Sequence, residues 1–176
     1  MKAWTYLNVG CGPFPRHLEG WYNIDSRPRS GETAQIDITD TEAYSKLFQK
    51  YSFSRVYFGH ILSQVDYAQA LQVLEATFHG LQPGGRIRVT DQDYGWFFST
   101  YFSAADFESV KIRQSIVGNK RDLNDVAKNI VFTGPFHQFW YDLHRWGHRS
   151  IYDAAEMEGL LRRAGFSGIK QFQQGK

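Results

Sequence analysis

The stretch Leu7-Asn8-Val9-Gly10-Cys11-Gly12, which is followed by Asn23-Ile24-Asp25, decides the fold of this chain. An apolar run from residue 4 to residue 9 is typical of a buried parallel strand, and it stops at a turn with two glycines. Gly10 and Gly12 have no Cβ atom, so the backbone can turn sharply there and a ligand can lie against it. The stretch therefore predicts a strand that leads into a ligand-binding turn.

A second predicted strand, residues 21–24, ends at Asp25. An ionised carboxylate only accepts hydrogen bonds, so an acid at the end of the second strand suits the two hydroxyls of a ribose. A strand, a glycine turn, a second strand and an acid together predict a cofactor that contains a nucleoside.

The residues after the turn disfavour a dinucleotide. The dinucleotide fingerprint needs a third glycine where this chain has Pro15, and a proline there opposes the helix that would point its N-terminus at a pyrophosphate. Residues 10–20 are about the minimum length for a parallel crossover. A nucleoside without phosphates fits better, and S-adenosylmethionine is the commonest such cofactor. A nicotinamide-dependent reductase stays as a disfavoured alternative.

Length and composition limit the class of protein. A chain of 176 residues is one ordinary domain, and none of its apolar runs approaches the length of a membrane-spanning helix. The N-terminus predicts no signal peptide, and Cys11 as the single cysteine suits a reducing cytoplasm. The net charge of +2 is too small to argue for a nucleic acid. We therefore expect a cytoplasmic protein without membrane or nucleic-acid partners.

Alternating strand and helix patterns predict an open α/β sheet. Three more strands are expected at residues 31–39, 56–60 and 86–90, and a further one at residues 169–172. Helices are expected from residue 40 or 41, from Asp66, and from Asp153 to a cap at Gly165. The buried stripe expected for the second helix consists of Tyr67, Leu71, Leu74, Phe78 and Leu81.

Ligands of such sheets bind at the carboxyl ends of the strands. The five predicted strand ends carry glycines, acids or a histidine: residues 10–12, Asp25, Asp37, Gly59-His60 and residues 91–94. Their convergence at one edge of the sheet predicts the binding site there.

The pattern changes between residues 94 and 147. This segment is longer than a connector needs and is rich in Phe, Trp, Tyr and His, with one helix expected at residues 103–116. We predict a single domain, residues 1–176, in which residues 94–147 are a helical insertion that covers the pocket. Its aromatic side chains either stack on a planar or sugar acceptor or form a small core that holds the insertion together.

The motifs resemble those of class I S-adenosylmethionine-dependent methyltransferases, above all a small bacterial "predicted methyltransferase" family. Beyond the glycine turn, residues 57–62 resemble that family's Y-x-x-H-x-L motif at strand four. Residues 81–93 resemble its L-x-P-G-G…R…D motif around strand five, and residues 147–166 its closing G-H-x-x-x-Y-D…L-L-x-x-A-G-F. The resemblance covers residues 7–166 in the family's order.

The resemblance implies a Rossmann-like class I methyltransferase sheet, mostly parallel, with helices on both faces. It implies an S-adenosylmethionine-dependent methyltransferase that transfers a methyl group to an unidentified small-molecule or sugar acceptor. A non-catalytic module of the same fold, which binds the cofactor or a partner protein, stays as the alternative. We expect no metal, because the histidines are scattered and the cysteine stands alone.

The resemblance also implies residue roles. The glycines of the turn would face the methionine and ribose part of the cofactor, Asp25 the ribose hydroxyls, Asp37 with Ile38 the adenine, and Gly59 with His60 the pocket below the sulfonium. The implied cofactor-binding set is Asn8, Gly10, Cys11, Gly12, Asp25, Asp37, Ile38, Gly59 and His60. The candidate catalytic residues on the acceptor side are His60, Asp93 and His148.

Each candidate also has a structural interpretation. Cys11 lacks a neighbouring base and is better explained as a small packing residue. His60 is as well explained by a hydrogen bond to backbone or cofactor as by proton transfer. Asp93 either orients a substrate or caps a helix, and His148 either reaches the pocket or anchors the insertion.

Two departures from the family pattern bear on mechanism and assembly. Residues 60–64 read His-Ile-Leu-Ser-Gln where the family often has H-x-L-E-H, so an acid and a histidine are lost. About ten residues follow the closing A-G-F, enough for one more strand but not for the family's final pair. We therefore expect an incomplete C-terminal hairpin and a sheet edge at which a homodimer could form.

Overall fold

A computed structural model describes residues 5–12, 20–28, 31, 33–95, 98, 143–144 and 147–172 of the chain. The chain divides into two compact units, one of Met1–Gln92 with Arg149–Lys176 and one of Asp93–His148. The second unit begins one residue before the predicted insertion and ends one residue after it. The helix expected at residues 103–116 and most of the aromatic segment lie outside the described residues.

The first unit is built on a parallel sheet. Its strands are β1 (Tyr6–Val9), β2 (Tyr22–Asp25), β3 (Thr33–Gln35), β4 (Arg55–Gly59) and β5 (Arg86–Thr90). Every neighbouring pair is parallel, and the order is β3-β2-β1-β4-β5. The chain places β2 and β3 on one side of β1 and then β4 and β5 on the other side, so the strand order reverses between β1 and β4. Ligands of doubly wound sheets bind at such a switch point. The prediction of an α/β fold with a parallel sheet is therefore confirmed.

Three described helices lie between or after the strands along the chain. They are α1 (Thr41–Lys50), α2 (Tyr67–Gly80) and α3 (Ala154–Arg163), and a short 3-10 turn covers Leu62–Gln64. In the described part of the chain α1 contacts α2 and α2 contacts α3. The connection from β3 to β4 contains α1, and the connection from β4 to β5 contains α2. Both run in the same direction across the sheet, so right-handed crossovers place the two helices on one face. Helices on both faces therefore stay a prediction. None of the described helices is long and apolar enough to cross a membrane.

The alternation of side chains gives the two faces of the sheet different chemistry. The face toward the helices contributes Leu7, Val9, Ile24, Val56 and Phe58 to one buried apolar cluster. The opposite face carries polar and aromatic side chains, with Thr33, Asn23, Asn8, Tyr57 and Arg88 in register across the five strands. One face therefore stabilises the fold by apolar burial, whereas the other is polar.

The predicted stripe of α2 is only partly right. The residues of α2 that are fully buried are Ala70, Val73, Leu74 and Thr77, whereas Tyr67 and Phe78 are 40% and 41% exposed. These two flank the buried stripe because they pack beside α3: the Phe78 ring meets the Phe166 ring at 5.3 Å, and the Arg163 guanidinium lies 5.9 Å from the Tyr67 ring. A helix with two apolar neighbours presents two adjacent apolar stripes.

The C-terminal region confirms one prediction and contradicts another. Gly165, at φ +104°, follows α3 as expected, and Phe166 N–H donates to Leu161 C=O at 3.0 Å, the bond that defines a Schellman motif. The strand expected at residues 169–172 is wrong, because these residues are irregular. Ile169 packs against the core, but Phe172 is 74% exposed. Among the described strands the two edges are therefore β3 and β5, and no part of a C-terminal hairpin is present at residues 169–172.

Candidate functional site

The turn after β1 is fixed to the end of β2 by backbone hydrogen bonds. Gly10 N–H and Cys11 N–H both donate to Ile24 C=O, at 3.0 and 3.3 Å. Gly10 has φ +70° and Gly12 has φ +76°, values that side-chain-bearing residues rarely adopt. The predicted sharp turn is therefore present, and its backbone conformation explains both glycines.

The Asp25 carboxylate at the end of β2 holds the same turn. Its Oδ2 accepts a hydrogen bond from Gly12 N–H at 2.9 Å, and its Oδ1 accepts one from Arg27 N–H at 2.9 Å. An ionised carboxylate offers about four acceptor sites, so these two bonds leave acceptor capacity on both oxygens. Asp25 thus shapes the turn and has the capacity to accept two further donors.

The two glycines of the turn face different surroundings. A Cβ added at Gly10 would lie 2.7 Å from Ile61 Cβ, so the loop after β4 closes over this residue. Among the residues that the structure describes, nothing lies within 4 Å of a Cβ added at Gly12. The turn therefore packs against Ile61 at Gly10, whereas at Gly12 no described residue lies against it. Ile61 was not predicted as part of the site, because its apolar side chain gave no signal in the sequence.

Cys11 and Asn8, two predicted cofactor contacts, are buried. Cys11 is 3% exposed, its Sγ lies 3.6 Å from Thr33 Oγ1, and burial raises the pKa of its thiol. Asn8 is 2% exposed and donates through Nδ2 to Asn23 Oδ1 at 2.7 Å. A buried thiol with a raised pKa is a poor nucleophile. Both side chains have partners within the sheet, which favours a packing role for each.

The loop after β3 places Asp37 and Ile38 differently from one another. Asp37 is exposed, and its Oδ1 accepts hydrogen bonds from Thr39 N–H at 2.9 Å and from Thr39 Oγ1–H at 2.8 Å. Ile38 is 6% exposed and belongs to the apolar cluster. The side chain of Ile38 is therefore committed to the core, and a contact between this residue and a ligand would have to come from its backbone.

His60, at the end of β4, is the only non-glycine residue with positive φ in the described part of the chain, at 54°. Its N–H donates to Thr90 C=O at 2.8 Å, and its C=O accepts from Gln64 Nε2 at 3.0 Å. The imidazole is exposed, whereas the backbone is held on both sides. A left-handed conformation costs a non-glycine residue about 1–2 kcal/mol, and such strain is concentrated at functional sites.

Asp91, directly after β5, makes a second contact between a carboxylate and a loop. Its Oδ2 accepts from Ser63 N–H at 3.1 Å, and Ser63 C=O accepts from the N–H groups of Arg149 and Ser150 at 2.8 and 3.1 Å. Ser63 is fully buried and Tyr152 is 2% exposed, and within the described residues their hydroxyls have no hydrogen-bond partner.

Burial raises the pKa of Tyr152 above its usual range, and the nearby Asp91 carboxylate adds to this. The Ser150 side chain opposes the shift, but it does not reach hydrogen-bond geometry with the Tyr152 hydroxyl. The sequence left open whether Tyr152 reaches over the pocket or makes a structural hydrogen bond, and it gave no signal for Ser63. The structure buries both residues, and the hydroxyl of Tyr152 has no hydrogen-bond partner among the described residues. Residues 149–152 therefore cover the loop after β4 at Ser63.

The remaining two catalytic candidates belong to the second unit. Asp93 is exposed, and a hydrogen bond of 2.6 Å joins the Tyr94 hydroxyl to His148 Nδ1. His148 N–H also donates to Leu143 C=O at 2.9 Å. His148 is therefore anchored by its ring and by its backbone, whereas His60 belongs to the first unit. Joint action of His60, Asp93 and His148 stays a prediction.

No group of three or more potential metal ligands occurs among the residues that the structure describes. The geometry thus offers one turn with an open glycine, one carboxylate with spare acceptor capacity beside it, and one exposed histidine on a strained backbone. No protein-family model matches the chain, and a search of curated proteins found no match either.

Proposed function

We propose that the chain binds S-adenosylmethionine at the carboxyl ends of β1 and β2 and transfers its methyl group to a small-molecule or sugar acceptor. The observation that carries the proposal is the Asp25–Gly12 arrangement. One carboxylate fixes a glycine turn that no other described residue covers at Gly12, and it keeps acceptor capacity for two hydroxyls. The class I methyltransferase fold belongs to the same proposal; the described parallel sheet, with its switch point between β1 and β4, supports the coarser Rossmann-like order.

The residues present fit a nucleoside cofactor better than a dinucleotide. Asp25 suits the ribose of either cofactor, so the distinction rests on Pro15, which stands where a pyrophosphate-binding helix would begin. Bound S-adenosylmethionine supplies an activated methyl group, so the protein needs to bind, to align and to remove a proton. Asp25 and Gly12 would bind the ribose, and the exposed imidazole of His60 is the proton acceptor that we propose in the first unit.

A non-catalytic module is the second candidate, and a specific observation favours it. Both oxygens of Asp25 and the Oδ1 atom of Asp37 already accept hydrogen bonds from the chain itself. These acids therefore have structural roles that do not require a ligand. Such a module would keep the turn and the sheet without turning over a substrate.

Calorimetric titration with S-adenosylmethionine, S-adenosylhomocysteine and NADH tests the proposal. We expect micromolar binding of the first two and none of NADH. Release of S-adenosylhomocysteine during incubation with acceptor mixtures then separates the enzyme from the module. Absence of binding by a protein that circular dichroism shows to be folded would contradict the proposal, and retention of NADH alone would favour the reductase.

A homodimer at the sheet edge stays a proposal of lower rank. With residues 169–172 irregular, the edge would be β5, which carries Arg86 and Arg88. Charged side chains on an edge strand oppose pairing with another strand. Sedimentation equilibrium of the full chain tests this, and a monomer at micromolar concentration would contradict the homodimer.

A further inference from the structure

The polar face of the sheet carries a row of aromatic and basic side chains near the amino ends of its strands. The row begins at Trp21, directly before β2, and continues across β1, β4 and β5 with Tyr6, Arg55 and Arg86. The rings of Trp21 and Tyr6 are 5.1 Å apart, and the Arg55 guanidinium lies 5.9 Å from the Tyr6 ring. Contacts thus join the first three members side by side.

A third arginine extends the row along β5. Arg88 lies two residues after Arg86 on the same face, and it is in register with Tyr57. All three arginines are exposed, and the described residues provide no carboxylate that forms an ion pair with any of them. The only acid on this face of the described strands is Asp25, at the opposite end of β2, and its carboxylate is bound to the backbone.

This arrangement is unfavourable for the isolated chain. Arg55 and Arg86 are directly opposite on neighbouring strands, and like charges in that position destabilise a sheet. Charges on β5 are explained as protection of an edge strand. That explanation does not reach Arg55, which lies on an interior strand of the described sheet, nor the two rings beside it. The row therefore has the features of a binding surface.

We propose that this row, Trp21-Tyr6-Arg55-Arg86 with Arg88, binds a single-stranded nucleic acid. Guanidinium groups pair with phosphates, and aromatic rings such as the half-buried rings of Trp21 and Tyr6 stack on bases, so one ligand with an anionic backbone and flat rings matches both features. An acidic peptide would match only the arginines. The row spans three strand spacings, about 14 Å, which accommodates a few nucleotides.

This surface is separate from the proposed cofactor site and does not depend on it. Arg55 and Gly59 are four residues apart on β4, so the row lies about 13 Å from the carboxyl ends of the strands. The small net charge of the whole chain argued against nucleic acid, but binding depends on where the charges are clustered. The proposal therefore replaces that expectation for this face of the sheet.

Fluorescence anisotropy with a labelled oligouridylate and an oligodeoxythymidylate, each of about 12 nucleotides, tests the proposal. We expect the full chain to bind at least one of them at about 50 mM salt, with an affinity that falls as salt rises. Binding of the RNA alone, of the DNA alone or of both would identify the source of the ligand.

Substitutions locate the binding surface. Arg55→Ala with Arg86→Ala should lower the affinity at least about tenfold and reduce the slope of log affinity against log salt by about 1.4. The charge-matched control is Lys46→Ala with Arg162→Ala, which removes two exposed cations that pair with Glu42 and Glu158 on helices, and it should bind normally. Tyr6→Leu should weaken binding about tenfold by removing a ring.

Three results would overturn the proposal. They are no binding of either oligonucleotide by folded protein, an equal loss in the control variant, and displacement of the oligonucleotide by an oligoglutamate of equal charge at equal concentration. The last result would identify the row as a surface for an acidic protein partner.

Discussion

Two carboxylates at the carboxyl ends of the strands each accept a hydrogen bond from the backbone N–H of a loop, but the two loops differ in burial. Asp25 is the last residue of β2 and accepts from Gly12 N–H at 2.9 Å, and Asp91 directly follows β5 and accepts from Ser63 N–H at 3.1 Å. In both cases an acid after a strand holds the loop of another strand. Within the described part of the chain nothing covers Gly12, whereas Ser63 is fully buried and bonded to the segment that leads to α3.

The difference shows that an acid at a strand end is not sufficient to define a ligand site. Asp25 differs in the residue that it holds, because Gly12 has no side chain and no other residue of the described ranges lies against it. Asp91 instead holds a residue that the chain covers. We therefore propose that the Asp25–Gly12 contact belongs to the ligand site and that the Asp91–Ser63 contact has a structural role.

The largest expected effect comes from removing each carboxylate. Asp25→Ala should weaken binding of S-adenosylhomocysteine about 100-fold or more, because two hydrogen bonds to a charged group are lost. Asp91→Ala should leave that affinity unchanged. Both variants should lose about 1–3 kcal/mol of stability, because each leaves backbone N–H groups without an acceptor.

Calorimetry for affinity and urea unfolding for stability measure the two effects separately. Asp153→Asn, which keeps the N-cap of α3 while removing one negative charge, is the matched control. Equal affinity losses in the Asp25 and Asp91 variants would remove the distinction between the two ends.

Substitution of the two glycines should separate stability from binding. Gly10→Ala combines a positive φ with a clash against Ile61 and should cost about 3 kcal/mol or more. Gly12→Ala meets no neighbour and should cost only about 1–2 kcal/mol, but its methyl group would occupy the open side and weaken cofactor binding. Thermal unfolding and calorimetry measure the pair, and normal binding by Gly12→Ala would show that the ligand lies elsewhere.

The conformation of His60 gives a smaller effect with a defined sign. His60→Gly should raise stability by about 0.5–1 kcal/mol, because relief of left-handed strain exceeds the entropic cost of glycine. His60→Ala keeps the strain and should show no gain. Urea unfolding of the two variants compares them directly, and equal stabilities would mean that the backbone at residue 60 is not strained.

The buried hydroxyls at the β4–β5 end should be replaceable. Ser63→Ala and Tyr152→Phe each remove a buried hydroxyl that lacks a hydrogen-bond partner in the described part of the chain. Each should therefore be neutral or stabilising, by up to about 1 kcal/mol. A loss of more than about 1 kcal/mol of unfolding free energy would show that the hydroxyl has a hydrogen-bond partner, which would contradict this prediction.

Alkaline pH should give the smallest effect. Burial raises the pKa of Tyr152 in the folded protein, so its contribution to stability is complete below about pH 10 and is lost as pH rises further. Tyr152→Phe should lose less stability between about pH 9 and pH 11 than the wild type. Unfolding curves across that range measure the difference. An identical decline in both proteins would show that Tyr152 titrates normally.

Local sequence signals predicted most of the sheet and the site residues that have unusual backbone. Alternating apolar residues located all five strands, although β3 ends at Gln35 because the Asp37 carboxylate starts a turn. The glycines of the first turn were predicted because φ above zero leaves few alternatives to glycine. Asp25 was predicted because acids after strands are chemically distinctive.

Features that depend on long-range packing were not predictable from the sequence. The exposed ring of Phe78 pairs with Phe166, nearly ninety residues later, and residues 169–172 carry a strand pattern without forming a strand. Ile61 closes the turn at Gly10 from a distant loop, and the Tyr94–His148 bond spans the second unit. Each of these contacts joins residues that are far apart in the sequence, so neither residue alone indicates that the contact exists.

The most direct test of the central claim is a ¹H–¹⁵N correlation spectrum of the protein titrated with S-adenosylhomocysteine. The Gly12 and Arg27 amides, which donate to Asp25, should shift with saturation at micromolar ligand, while the Ser63 amide, which donates to Asp91, should stay in place. Shifts confined to Ser63 and its neighbours, or none at any of the three amides, would contradict the account.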